Sequence, residues 1–185
     1  DSFVRQGADL DLAQKASLSE CNQQLARLTT RFSQTQLGDE EQEALVIRTR
    51  AGLAGLTQAQ IAAAAAEAQA RKLEGRWVIA NTRSAMEPFL VYASDRALRE
   101  QGWRMWIRRG DNGNERDNNR IASEILILRA KKAKLLGYPT YAHWRMGDTM
   151  ARDPQRALDL MLSVWAPARA QFCRDALEAQ AIADQ

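Results

Sequence analysis

At 185 residues, with 45% hydrophobic and 26% charged side chains, the chain has the composition of one globular domain or of a contiguous piece of a larger one. No window approaches ~18 uninterrupted apolar residues, which argues against a transmembrane helix. The net charge of +3 is too mild to single out a polyanionic partner.

The opening residues Asp1, Ser2, Phe3, Val4 and Arg5 offer neither an initiator Met nor the apolar core of a signal peptide, and read as the start of a processed product or an excised fragment. Residues 9–37 form the first expected helix: Leu10, Ala13, Leu18, Cys21, Leu25, Leu28 and Phe32 recur mostly at three- and four-residue steps. Gly38 and Asp39 mark its expected end, although the acidic run 39–43 could begin another turn. Leu45, Val46 and Ile47 are a candidate strand, after which Gly52 and Gly55 break the pattern.

Thr57 and Gln60 have the spacing of a capping box, opening an alanine-rich helix over 61–72 with Gly75 beyond it. Residues 77–80 are the best strand candidate. Residues 84–88 read as irregular, and 89–92 fit either a hairpin or a helix start. Ser94 and Asp95 supply an N-cap for a helix to about 109. Its apolar residues Leu98, Trp103, Met105, Trp106 and Ile107 cover more than one stripe, which predicts burial on two sides.

A polar, turn-rich loop at 109–119 separates that helix from the next, at 119–136, with Asn118 or Asn119 as the expected cap. Ile121, Ile125, Leu128 and Leu135 mark the inner face of this helix. Gly137 ends it as a left-handed terminator, and Pro139 blocks its continuation. Thr140 caps a short helix to Met146. Asp153 and Pro154 start the last helix, to about Asp184, with Leu158, Met161, Leu162, Trp165 and Phe172 on its apolar face. Pro167 lies inside this helix and should bend it near 163–167, at a cost of about 3 kcal/mol unless packing compensates. The fold class is mainly α: a multi-helix segment with a few short strands in a hairpin or small sheet.

Chemistry-bearing motifs are sparse. The single histidine, His143, cannot form HExxH, whose two His at i and i+4 grip zinc from one helix face, and beside Trp144 it reads as a packed or capping residue. No phosphate-binding glycine loop or GxSxG elbow occurs. Asp111, Glu115 and Asp117 lack the EF-hand order, with Arg116 among the would-be ligands, so turns and a cap explain the loop better than calcium. Cys21 and Cys173 form no CxxC pair and suit small apolar packing in a reducing compartment, cytoplasmic rather than periplasmic. Residues 96–134 hold eleven Lys/Arg against five Asp/Glu. At helical spacing this reads as a solvated face, with an RNA- or acidic-protein-binding surface as the alternative.

Segments 3–10, 28–33, 74–79, 87–90, 95–99, 109–119, 128–130, 134–138, 149–154 and 164–169 together resemble, in order, the peptidyl-dipeptidases (dipeptidyl carboxypeptidases), zinc metallopeptidases of the thimet oligopeptidase family. The Arg-Gly-Asp-Asn-Gly-Asn form of 109–114 looks closer to peptidyl-dipeptidases than to the oligopeptidases. The resemblance implies a long, nearly all-helical parent enzyme with a deep channel between two halves. Its HExxH zinc site would lie downstream of the stretch matched here.

On that resemblance, residues 1–185 are a single helical segment of the non-zinc part, forming scaffold and channel wall. The parent would use zinc to cleave short peptides, releasing C-terminal dipeptides. No catalytic or metal residue carries over, no substrate-binding residue is assigned, and no zinc is expected in this segment. The expected partners are peptide substrates of the parent and the rest of the same polypeptide, not nucleic acid or membrane. Apolar helix faces left uncovered would make the segment self-associate. The alternative is a free-standing helical interaction module using 96–134.

Overall fold

The computed structural model describes residues 2–185. In chain order these form α1 (Ser2–Arg5), α2 (Leu12–Gln42), β1 (Ala44–Ile47), a short 3-10 turn (Arg50–Leu53), α3 (Gln58–Ala70), β2 (Trp77–Ala80), α4 (Arg83–Tyr92), α5 (Arg96–Ile107), α6 (Asn119–Leu135), α7 (Tyr141–Met146) and α8 (Pro154–Ala183). The mainly α class holds. Among the described residues no helix is long and apolar enough to cross a membrane. Contacts divide the chain into two compact units, one of residues 24–126 and one of 1–23 with 127–185.

The unit of residues 24–126 is built around a two-stranded antiparallel ribbon. β1 pairs with β2 in the register Ala44 with Ala80 through Ile47 with Trp77. α3 and α4 pack on β2, α5 packs on β1, and α4 packs on α5. A two-stranded ribbon is marginal alone, so these helices supply its core. That core holds Leu45, Ile47, Leu53, Ala64, Ile79, Met86, Phe89 and Ala93.

Local signals act where expected in this unit. The Thr57 hydroxyl accepts the Gln60 amide at 3.3 Å while the Gln60 side chain accepts the Thr57 amide at 2.7 Å, completing the capping box. The Asp95 carboxylate accepts the Leu98 amide at 3.1 Å and caps α5.

Three expectations are corrected. α2 does not stop at Gly38 and Asp39 but continues to Gln42, as the acidic run 39–43 allowed, with the Glu43 N–H bonding the Asp39 carbonyl at 2.9 Å. The irregular reading of 84–88 gives way to helix: Pro88 lies inside α4, which Met86 and Phe89 hold by burying against the ribbon. α5 is packed on one face only. Leu98, Gly102, Met105 and Trp106 turn inward, whereas Trp103 is 47% and Ile107 52% exposed.

In the other unit, Leu18, Cys21 and Ala133 are buried, and the Cys21 thiol donates to the Leu128 carbonyl at 3.4 Å. The first turn of α2 begins at Leu12 rather than residue 9, since Asp11 and Gln14 exchange capping bonds of 2.8 and 3.2 Å. Trp144 ties α7 to α1: its indole N–H donates to the Arg5 carbonyl at 3.0 Å, and Arg5 donates back to the Trp144 carbonyl at 2.5 Å and pairs with Asp148 at 3.0 Å. Lys132 lies over the Trp144 ring at 4.4 Å and donates to Asn22 at 2.8 Å, and burial pushes its pKa down.

Asp153 accepts the Gln155 and Arg156 amides and caps α8, with Pro154 in its first turn. α8 runs through Pro167 as a single helix and buries no residue. Met161 (60%), Trp165 (63%) and Phe172 (71%) are all exposed.

Candidate functional site

The loop at 109–119 is held by one carboxylate. Asp39, fully buried near the end of α2, accepts the Gly110 amide at 2.8 Å, the Asn112 side-chain amide at 2.8 Å and the Arg116 guanidinium at 2.7 Å. Burial alone would raise its pKa. The Gly110, Arg116 and Asn112 donors outweigh that and hold it below the usual carboxylate range. Next to it, Glu40 pairs with Arg109, whose guanidinium also lies 3.7 Å from the Trp106 ring centre. Gly110 is required here: its φ is +74°, and a Cβ would meet the Asn118 side-chain nitrogen at 2.9 Å.

Asn118 holds the N-cap position of α6 through its backbone, its carbonyl accepting the Ala122 amide at 2.8 Å, but its side chain does not cap as expected. Asn118 is buried and donates to the Phe32 carbonyl at 3.1 Å, while its side-chain oxygen has no partner. Asp117 takes over instead, accepting the Asn119 amide at 2.8 Å and the Gly113 amide at 3.0 Å, and these two amides hold its pKa down. A charged acceptor at a helix N-terminus outcompetes a neutral one, and its position leaves Asn118 free to reach α2. Asp111 accepts from Asn119 at 2.6 Å and Glu115 is exposed, so the loop acidic residues serve the loop's own turns.

The same unit carries a cleft of about 450 Å³. One face of α3, the end of β2 and one face of α4 form its apolar walls, including Ala63, Ala64, Ile79, Pro88 and Phe89. Glu40 and Glu41 from α2, and Glu67 from α3 paired with Arg71 at its C-cap, stand at its polar rim. Sequence reading passed over this feature, because the alanine run carries a strong helix signal and nothing that marks a concave wall.

Metal-ligating chemistry is thin. Among the described residues no three His, Cys, Asp or Glu side chains group to hold an ion. His143 is half-buried with its ring Nδ1 2.8 Å from the Thr140 hydroxyl, within the cap of α7. Cys21 is buried and Cys173 lies exposed on α8. Among the described residues these donors do not come together in a set that fits zinc. Five arginines among the eleven basic residues of 96–134 are held by partners near in sequence or from α2. Arg104 pairs with Glu100, Arg120 with Glu124, Arg116 with Asp39 and Arg109 with Glu40, and Arg99 binds the Ala93 and Ser94 carbonyls.

The model for peptidase family M3 matches residues 89–185, more than half of the chain, beginning in α4 and taking in the loop, α6 and α8. The chain belongs to peptidase family M3. Similarity to curated M3 relatives reaches upstream of that match. The dipeptidyl carboxypeptidase of Escherichia coli K12 is 34% identical over 183 residues, covering 99% of this chain and 27% of its own length. The oligopeptidase A of Salmonella typhimurium is 31% identical over 185 residues, covering 98% of this chain and 27% of its own length. The organellar oligopeptidase A of Arabidopsis thaliana is 32% identical over 151 residues, covering 78% of this chain and 19% of its own length. The chain thus spans about a quarter of the length of the bacterial M3 relatives it matches.

Proposed function

We propose that this chain is a noncatalytic segment of a zinc-dependent peptidyl-dipeptidase or oligopeptidase. Its helices form scaffold and the wall of a channel that admits short, unfolded peptides. The observation that carries the reading is the coverage: nearly the whole chain aligns with M3 relatives while accounting for about a quarter of their length. The exposed apolar residues of α8 support it, since a 30-residue helix that buries none of its side chains is suited to being covered by more protein.

In this reading the parent hydrolyses short peptides and releases C-terminal dipeptides, as the name of its dipeptidyl carboxypeptidase relatives suggests. Zinc belongs to a part of the polypeptide outside these residues, whose described donors do not come together in a set that fits it, so no catalytic step is assigned to any side chain here. The cytoplasm is the proposed location. The test is a peptidase assay with zinc analysis on the polypeptide that extends this segment, beside the segment alone. The reading requires zinc and activity in the first and neither in the second.

A further inference from the structure

The cleft between α3, β2 and α4 lies within one compact unit, and its composition is asymmetric. Its walls are apolar, and its volume of about 450 Å³ falls in the range that holds small organic ligands. Its charged lining groups are mainly acidic, and Gln60, Thr82 and Ser84 are its neutral polar groups. Of its three carboxylates, Glu40 is taken by Arg109 and Glu67 by Arg71, the latter at 2.7 Å. Glu41 is exposed and has no ion-pair partner among the described residues. Its one cation, Arg71, is the one already paired with Glu67.

Pro88, a lining residue inside α4, adds an apolar ring to the wall. One free carboxylate at the rim of an apolar wall favours a positively charged guest with a hydrophobic body.

We infer that this cleft binds an amphiphilic organic cation, its apolar body against Ala63, Pro88 and Phe89 and its ammonium group at Glu41. The inference does not depend on the peptidase reading, because it uses only side chains of this unit.

Titration calorimetry of the full 185-residue chain with phenylbutylamine tests it, beside the neutral phenylbutanol and the anionic phenylbutyrate. The amine should bind, the alcohol several-fold more weakly and the carboxylate not at all. Ala63→Leu, at an exposed helical position, should fill the cleft and abolish amine binding. Glu41→Gln should weaken the amine by about threefold to fivefold and leave the alcohol unchanged, the scale of one partly exposed charge pair. Raised salt should erase most of that difference. Because Glu41 is exposed, its variant keeps the test valid should Ala63→Leu misfold by circular dichroism. Equal binding of amine and alcohol, amine binding that Glu41→Gln leaves untouched, or no binding of any probe would overturn the inference.

Discussion

Asp39 and Gly110 meet across 71 positions of sequence, the buried carboxylate of one accepting the backbone N–H of the other at 2.8 Å. This bond, with those from Asn112 and Arg116, makes the end of α2 and the loop at 109–119 a single unit. Asp39→Asn keeps the shape but removes the charge that Arg116 answers. The expected loss is about 2–3 kcal/mol, less than for a fully buried pair because Arg116 is partly exposed. A lower urea midpoint at unchanged slope checks it.

The same carboxylate gives stability an acid limb. A group whose folded pKa lies below its ordinary value contributes stability above that value, and loses the contribution as pH falls through the folded one. For Asp39 the ordinary value is 3.8, so the loss begins as pH approaches it and is complete only at lower pH. Asp117 and Asp148 shift the same way, the first through the Asn119 and Gly113 amides and the second through Arg5. Urea midpoints measured across this range should fall in the parent chain and fall less steeply in Asp39→Asn.

Two helices end in the same left-handed turn on different residues. After α3, Leu73 N–H bonds the Ala68 carbonyl at 2.8 Å and Lys72 bonds Gln69 at 3.0 Å, with Lys72 at φ +58°. After α6, Tyr138 bonds Ala133 at 2.9 Å and Gly137 bonds Lys134 at 3.1 Å, with Gly137 at φ +79°. Side chains resist this conformation by roughly 1 kcal/mol. Lys72→Gly should therefore raise stability, and Gly137→Ala lower it, each by about that amount, read as opposite shifts in melting temperature.

The outer face of α8 predicts association of the chain studied alone. Trp165 and Phe172 are 63% and 71% exposed, and replacing both with Ser should reduce self-association in light scattering with little change in melting temperature. A chain that stays monomeric at high concentration before any substitution would contradict this.

Much of the fold was legible because its signals are local. Thr57 with Gln60, Asp95, Thr140 and Asp153 with Pro154 lie within a few residues of the amides they cap, and each starts a helix where sequence places it. Leu45 to Ile47 and Trp77 to Ala80 likewise form the expected strands. What escaped notice depends on distance. Nothing near Asp39 announces that its partners lie beyond residue 109, so Gly38 and Asp39 read as the expected end of the helix, with a further turn over 39–43 left open. Residues 84–88 read as irregular because the burial of Met86 and Phe89 against the ribbon is invisible from their neighbours. The cleft arises where the short alanines of α3 face α4, a pairing that spacing along one helix cannot reveal.

The most direct measurement compares two polypeptides, this 185-residue chain and the longer one of which it is proposed to be a segment. Each is assayed for bound zinc and for release of dipeptides from a short peptide. The longer polypeptide should carry zinc and release C-terminal dipeptides, losing activity to a chelator and regaining it with zinc, while the chain alone does neither. A longer polypeptide without metal-dependent peptidase activity, or activity in the chain alone, would contradict the proposal.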